Sequence, residues 1–271
     1  MRSDAGVDLS RRAMPSELPE WMDEPCSYEE FRACLIDLGQ VNRLTLSYRP
    51  TLAFLDRLVA RSKQREPLRI VDVGSGGGDM LRRVERWAER RGVMVALTGI
   101  DLNPHAARAA REFTPAASAI TWITGDAFTY EEPVDVVISS LFTHHLEEAE
   151  VVRFLAWSEA VARRGWFVND LCREVVPFRL FGLLAKTMRW HRFVQHDGPV
   201  SFRRSFREED WERMLHEAGI GAAEVRLERW IPARLCVERH AGIRRPLPSG
   251  DFSTQSIQKW RVRLVLVAVL L

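Results

Sequence analysis

Residues 68–79 read Leu-Arg-Ile-Val-Asp-Val-Gly-Ser-Gly-Gly-Gly-Asp: an apolar, β-branched run that stops at a cluster of glycines. An amphipathic stretch, Met80–Arg91, follows at once and is stopped by Gly92. A buried strand passing through glycines into a helix is the opening unit of an α/β sheet. Its glycines turn tightly and let the backbone approach a ligand, because no Cβ intervenes. The spacing is informative in what it lacks. A dinucleotide loop needs Gly-x-Gly-x-x-Gly, and the third glycine of that pattern falls on Asp79.

Downstream the chain keeps alternating strand with helix. Strands are expected at Val93–Ile100, Ile120–Ile123, Val134–Leu141 and Gly165–Leu171, with Val134–Leu141 almost wholly apolar, as a strand covered on both faces must be. Helices are expected after Asn103-Pro104, at Glu147–Ala162 and at Arg207–Ala218, with closing strands at Val225–Trp230 and Leu235–Val237. Single helices between strands imply parallel pairing with right-handed crossovers. The fold expected is a doubly wound, mostly parallel, seven-stranded α/β sheet with an N-terminal helical cap and a helical insertion after strand five. The domain scheme is a flexible leader over 1–25, a helical cap over 26–64, a ligand-binding domain over 65–240 with its insertion at 172–206, and an appendage over 241–271. The appendage ends in Leu-Val-Leu-Val-Ala-Val-Leu-Leu, too short to span a bilayer, which needs about 20 apolar residues.

A net charge of +2 among 39 basic and 37 acidic residues gives no field that would favour nucleic acid. Four scattered cysteines, with no Cys-x-x-Cys and no Cys/His cluster, lead us to expect no metal and no disulfide framework. The polar N-terminus has no signal-peptide core, so a cytoplasmic location is expected, with no integral membrane segment.

Four motifs fall in order on these strands: Asp72-Val73-Gly74-Ser75-Gly76-Gly77-Gly78, then Asp101-Leu102, then Gly125-Asp126-Ala127, then Ser139-Ser140-Leu141-Phe142-Thr143-His144-His145. Together they resemble the class I S-adenosylmethionine-dependent methyltransferases. The resemblance implies S-adenosyl-L-methionine as cofactor and S-adenosyl-L-homocysteine as product. It places Asp72, Gly74, Ser75, Gly76 and Gly78 in the glycine loop and Asp101 and Leu102 at the ribose. Asp126 and Ala127 fall at the adenine, and Ser140 falls at the end of strand four. A carboxylate suits two vicinal hydroxyls because it accepts from both. Asp101 has a competing reading as a helix N-cap, and Asp126 as an ordinary turn residue.

The His pair, Asn169-Asp170-Leu171-Cys172-Arg173 and the His196–Phe206 segment are also similar to a bacterial subgroup that accompanies type III polyketide synthases and methylates phenolic lipids. That resemblance implies a small aromatic or lipidic phenol as acceptor, with His144 or His145 as general base. Arg203 and Arg204 are weighed as groups orienting an anion, and the apolar 178–190 stretch as a seat for a lipid chain. Two other function classes stay open: an NAD-dependent oxidoreductase, and a non-catalytic cofactor-binding module in a biosynthetic complex. A homo-oligomeric state is also left open.

Overall fold

The computed structural model describes residues 7–61 and 66–240. Two helices, α1 (Tyr28–Leu44) and α2 (Arg49–Ala60), precede β1 (Leu68–Val73). Then follow α3 (Asp79–Arg91), β2 (Val95–Asp101), α4 (Ala106–Phe113), β3 (Thr121–Thr124), β4 (Val134–Ser140), α5 (Glu148–Val161) and β5 (Ala162–Leu171). The insertion forms α6 (Val175–Thr187) and α7 (Arg192–Arg204), and α8 (Glu208–Glu217), β6 (Val225–Trp230) and β7 (Arg234–His240) close the chain's described part.

The seven strands are ordered β3-β2-β1-β4-β5-β7-β6. The first five pair in parallel, while β7 runs antiparallel between β5 and β6. Apolar residues on both faces of the central strands build two cores. Val71, Val137 and Trp166 pack with Phe154 of α5 and Trp211 of α8. Ile70, Val136 and Phe167 pack with Phe54 and Leu55 of α2 and Trp87 of α3. Helices α2, α3 and α4 cover one face and α5 and α8 the other, and the parallel pairing of β1 to β5 puts the loops at their C-terminal ends on one rim, where open α/β sheets bind ligands.

Two expectations differ from the structure. First, α2 is not part of a cap: Phe54 stacks on Phe167 of β5 at 4.9 Å, so α2 covers the sheet and α1 alone stands over the rim. Second, the stretch expected as a flexible leader packs against the fold from Leu9 onward. Leu9, Arg12 and Glu20 are buried, and Asp197 of α7 accepts from the backbone N–H groups of Trp21 and Met22. The second half of the insertion is also helical, and α7 runs through Gly198-Pro199. A Cβ at Gly198 would stand 1.9 Å from the Phe181 ring, so the glycine is what lets α6 and α7 pack together. The expected appendage at 241–271 lies outside the described residues.

Candidate active site

The glycine loop joins β1 to α3 through three left-handed residues, with φ of +73° at Gly74, +49° at Gly76 and +74° at Gly78. An L side chain rarely adopts these angles. Gly78 is the helix cap, and a Cβ there would stand 2.2 Å from the Trp122 ring of β3. Gly76 is different: the nearest atom to a Cβ there is a Leu35 methyl at 3.7 Å. Gly74, Ser75, Gly76 and Gly77 line a cavity of about 1930 Å³ on the rim, whereas Gly78 does not. Gly78 serves the turn and the packing of Trp122.

Carboxylates gather at this loop. Asp101, at the end of β2, accepts from the backbone N–H of Gly76 at 2.8 Å and of Asn103 at 2.8 Å, which pins the loop and leaves further lone pairs toward the cavity. Burial pushes its carboxyl up, against those two hydrogen bonds. Asp72 is fully sequestered in β1; burial first, then Asp79 and Asp101, push its carboxyl well above the usual carboxylate range. Asp79 accepts from Asn42 Nδ2 and Tyr48 Oη of the N-terminal helices, both at 2.8 Å. Leu102, Asp126, Ala127 and Ser140 also face the cavity, and Asp126 caps the turn at Ala127–Thr129 by accepting from Phe128 N–H at 2.9 Å.

Across the cavity, the turn Thr143–His145 follows β4 through Leu141, whose φ is +56°. Here the chain turns back on itself and presents both histidines to the same cavity. His144 is buried, and its Nδ1 lies 2.7 Å from Oδ1 of Asp170 at the end of β5. Asp170 also accepts from Thr143 Oγ1, from the His144 backbone N–H at 3.0 Å and from the Leu171 N–H at 2.7 Å. Burial alone would raise this carboxyl; His144 and the hydrogen bonds overcome it and hold it ionised, well below the usual range. An ionised Asp170 accepts the proton on Nδ1, so the neutral His144 ring keeps its free lone pair on Nε2.

His145 is held differently. Its Nδ1 meets Asp23 Oδ1 at 2.8 Å, and its Nε2 lies 3.7 Å from Glu20. Burial works against the charged ring, but Asp23 and Glu20 outweigh it and push the imidazole up to about 9. Arg204, fully buried, lies behind: it donates to Asp23 Oδ2 at 3.0 Å and to the His144 carbonyl at 3.0 Å. Arg12 donates to the Leu146 carbonyl at 2.7 Å.

Residues 70–165, from β1 to the start of β5, match the family described as a methyltransferase domain. Over this segment the chain is similar to that family. Its fold is shared by human N-acetylserotonin methyltransferase, crystallised with S-adenosylmethionine, at 15% identity, a TM-score of 0.57, and cover of 80% of this chain and 57% of that one. It is also similar to the CMeT domain of the citrinin polyketide synthase, at 19% identity, a TM-score of 0.53, and cover of 71% and 52%. The plantazolicin methyltransferase BamL, solved with a substrate analogue and S-adenosylhomocysteine, matches at 15% identity, a TM-score of 0.54, and cover of 74% and 77%. The chain thus spans little more than half the length of the first two. No curated protein matches it.

The four motifs meet at one cavity, which Gly78 does not line. Sequence reasoning missed the partners of the histidines: Asp170, Glu20 and Asp23. Asp170 carried a signal, since an acidic residue following the apolar Trp166-Phe167-Val168 run of a strand asks for a partner. Glu20 and Asp23 carried none, being charges in a polar stretch. Arg204, weighed as a group orienting an anion, is fully buried and donates to Asp23. His191 caps α7, and His196 stacks on Trp21 with ring centroids 3.9 Å apart, so both hold the insertion in place.

Proposed function

We propose that this chain is an S-adenosylmethionine-dependent O-methyltransferase acting on the hydroxyl of a phenolic or polyketide-derived small molecule in the cytoplasm. The observation that carries this reading is His144: a ring fixed by Asp170, opening on the same cavity as the glycine loop. The site suits the cofactor. Gly76 offers the open cradle a ligand needs, Asp101 has lone pairs left for two ribose hydroxyls, and Asp126 and Ala127 stand at the far end for the adenine. The acidic set of Asp72 and Asp101 complements a cationic ligand that carries an ammonium group.

When bound, S-adenosylmethionine supplies an electrophilic methyl group on a sulfonium. The protein's part is to align an acceptor oxygen with that carbon and to take its proton. In-line alignment is worth roughly 7–11 kcal/mol when the reacting atoms are held near contact. Nε2 of His144 accepts the hydroxyl proton as the new O–C bond forms and the S–C bond breaks, and Asp170 stabilises the imidazolium. The acceptor's ring and chain rest on an apolar wall of Leu35 and Leu38 from α1 and Leu180, Phe181 and Leu184 from α6. This wall favours a lipidic phenol over a charged acceptor. A dinucleotide oxidoreductase is disfavoured by Asp79 at the third glycine's place and by the antiparallel β7, since the dinucleotide sheet ends in the order 4-5-6.

The test is incubation with S-adenosylmethionine and a panel of alkylresorcinols and other phenolic lipids, reading homocysteine-derivative release and product by mass spectrometry. An O-methyl ether supports the reading. Ring-carbon methylation would replace it with C-methylation, and no turnover on any phenol would overturn the acceptor class.

A further inference from the structure

The histidine pair makes a second arrangement that proton transfer does not require. Nε2 of His144 lies 3.7 Å from Oε1 of Glu20, and Nε2 of His145 lies 3.7 Å from Oε2 of the same carboxylate. These separations are too long for hydrogen bonds. All three donor atoms lie within 4.8 Å of one another. Ligands about 2.1 Å from a tetrahedral zinc ion stand roughly 3.4 Å apart, so the cluster needs only a small contraction to close on a cation.

The outer contacts point the same way. A metal-bound imidazole almost always donates its other N–H to a carboxylate or carbonyl, which fixes the ring and raises its basicity. Both rings do so here, His144 to Asp170 at 2.7 Å and His145 to Asp23 at 2.8 Å. Glu20 is itself oriented, accepting from Ser201 Oγ at 2.9 Å. Arg204 opposes a cation, with Nη1 3.5 Å from Glu20, but its charge is shared with Asp23 and the His144 carbonyl. Glu20 and His144 are buried, so their desolvated donors favour a partner of opposite charge.

We propose that Glu20, His144 and His145 form a binding site for a single divalent transition cation of the zinc type on the wall of the cavity. Two nitrogens and a carboxylate leave a fourth position open, which is the pattern of catalytic rather than structural sites. A cation there would tie the segment carrying Glu20 to the turn after β4. It would engage both Nε2 atoms, so in the loaded protein an acceptor hydroxyl would be activated by coordination instead of by His144. The proposal rests on this cluster's geometry and not on the transferase reading.

The test treats the full chain with a chelator, removes the chelator, and titrates Zn²⁺ by calorimetry and Co²⁺ by visible absorption. We expect one equivalent bound, with intense visible bands for Co²⁺ in a low-symmetry N/O site. Glu20→Gln and His145→Gln should abolish binding or weaken it at least 100-fold. Asp23→Asn, which keeps all three ligands, should weaken it about 10- to 100-fold. S-adenosylhomocysteine binding, read on each variant, reports that the fold survives. No binding by the wild-type chain would overturn the site, as would binding that all three variants leave unchanged.

Discussion

Two glycines two residues apart should fail in opposite ways when given a methyl group. At Gly78 an alanine meets two penalties. The left-handed backbone at φ +74° costs an L residue about 1–2 kcal/mol, and a Cβ 2.2 Å from the Trp122 ring forces a core indole to move, at about 1–3 kcal/mol. Gly78→Ala should therefore lose about 2–5 kcal/mol, a large share of a typical domain's stability. At Gly76 only the backbone penalty applies, because the nearest atom is a Leu35 methyl at 3.7 Å. Gly76→Ala should lose about 1–2 kcal/mol. Yet Gly76 lines the cavity and Gly78 does not, so Gly76→Ala should weaken S-adenosylhomocysteine at least tenfold, about 1.4 kcal/mol. Denaturant unfolding supplies the stabilities, and calorimetric titration of the folded proteins supplies the affinities. Equal stability of Gly78→Ala and wild type would refute the packing argument. Undiminished affinity in Gly76→Ala would refute the cradle.

Asp170→Asn keeps the shape of the His144 clamp but replaces an acceptor with a donor. The ring should switch tautomer and lose the Nε2 lone pair; turnover of a phenolic acceptor by the metal-free protein should fall roughly 10²–10⁴-fold, with cofactor affinity retained. A change under threefold in kcat would contradict the base assignment. Binding of the cofactor should release a proton, because the buried Asp72 carboxyl is held up by desolvation and its acidic neighbours until a cationic ligand arrives. Calorimetry in buffers of different ionisation enthalpy would give identical heats if this were wrong. Glu238, paired with Arg57 and His240, is pushed down to about 2 from 4.5; burial opposes this shift and the two partners outweigh it. A depressed carboxylate stabilises the folded state above its unfolded pKa. Stability should hold above pH 4.5 and fall by as much as about 3 kcal/mol between pH 4.5 and 2, and Glu238→Gln should flatten that part of the profile.

The sheet was legible because its signals are local. β1 ends at its glycines, β4 is mostly apolar, and α3 carries its stop at Gly92; each element announces itself within a dozen residues. The order of the motifs likewise placed Asp72, Asp101, Asp126 and the histidines on one rim. What stayed hidden depends on residues far apart in the chain. The close packing of α6 on α7 at Gly198 depends on the Phe181 ring, which lies in another helix. Nothing near Glu20 indicates that it lies beside a turn more than a hundred residues away, held by Ser201. The insertion of β7 between β5 and β6 is also a pairing choice, which strand patterns alone do not encode.

The central claim is that this cavity takes S-adenosylmethionine. The most direct measurement is calorimetric titration of the wild-type chain and of Asp101→Ala with S-adenosylmethionine, S-adenosylhomocysteine and NAD. The account predicts binding of the first two and not of NAD, with that binding lost or severely weakened in the variant, because Asp101 both pins Gly76 and faces the ribose position. Binding of NAD alone, or adenosyl-ligand binding indifferent to Asp101, would contradict it.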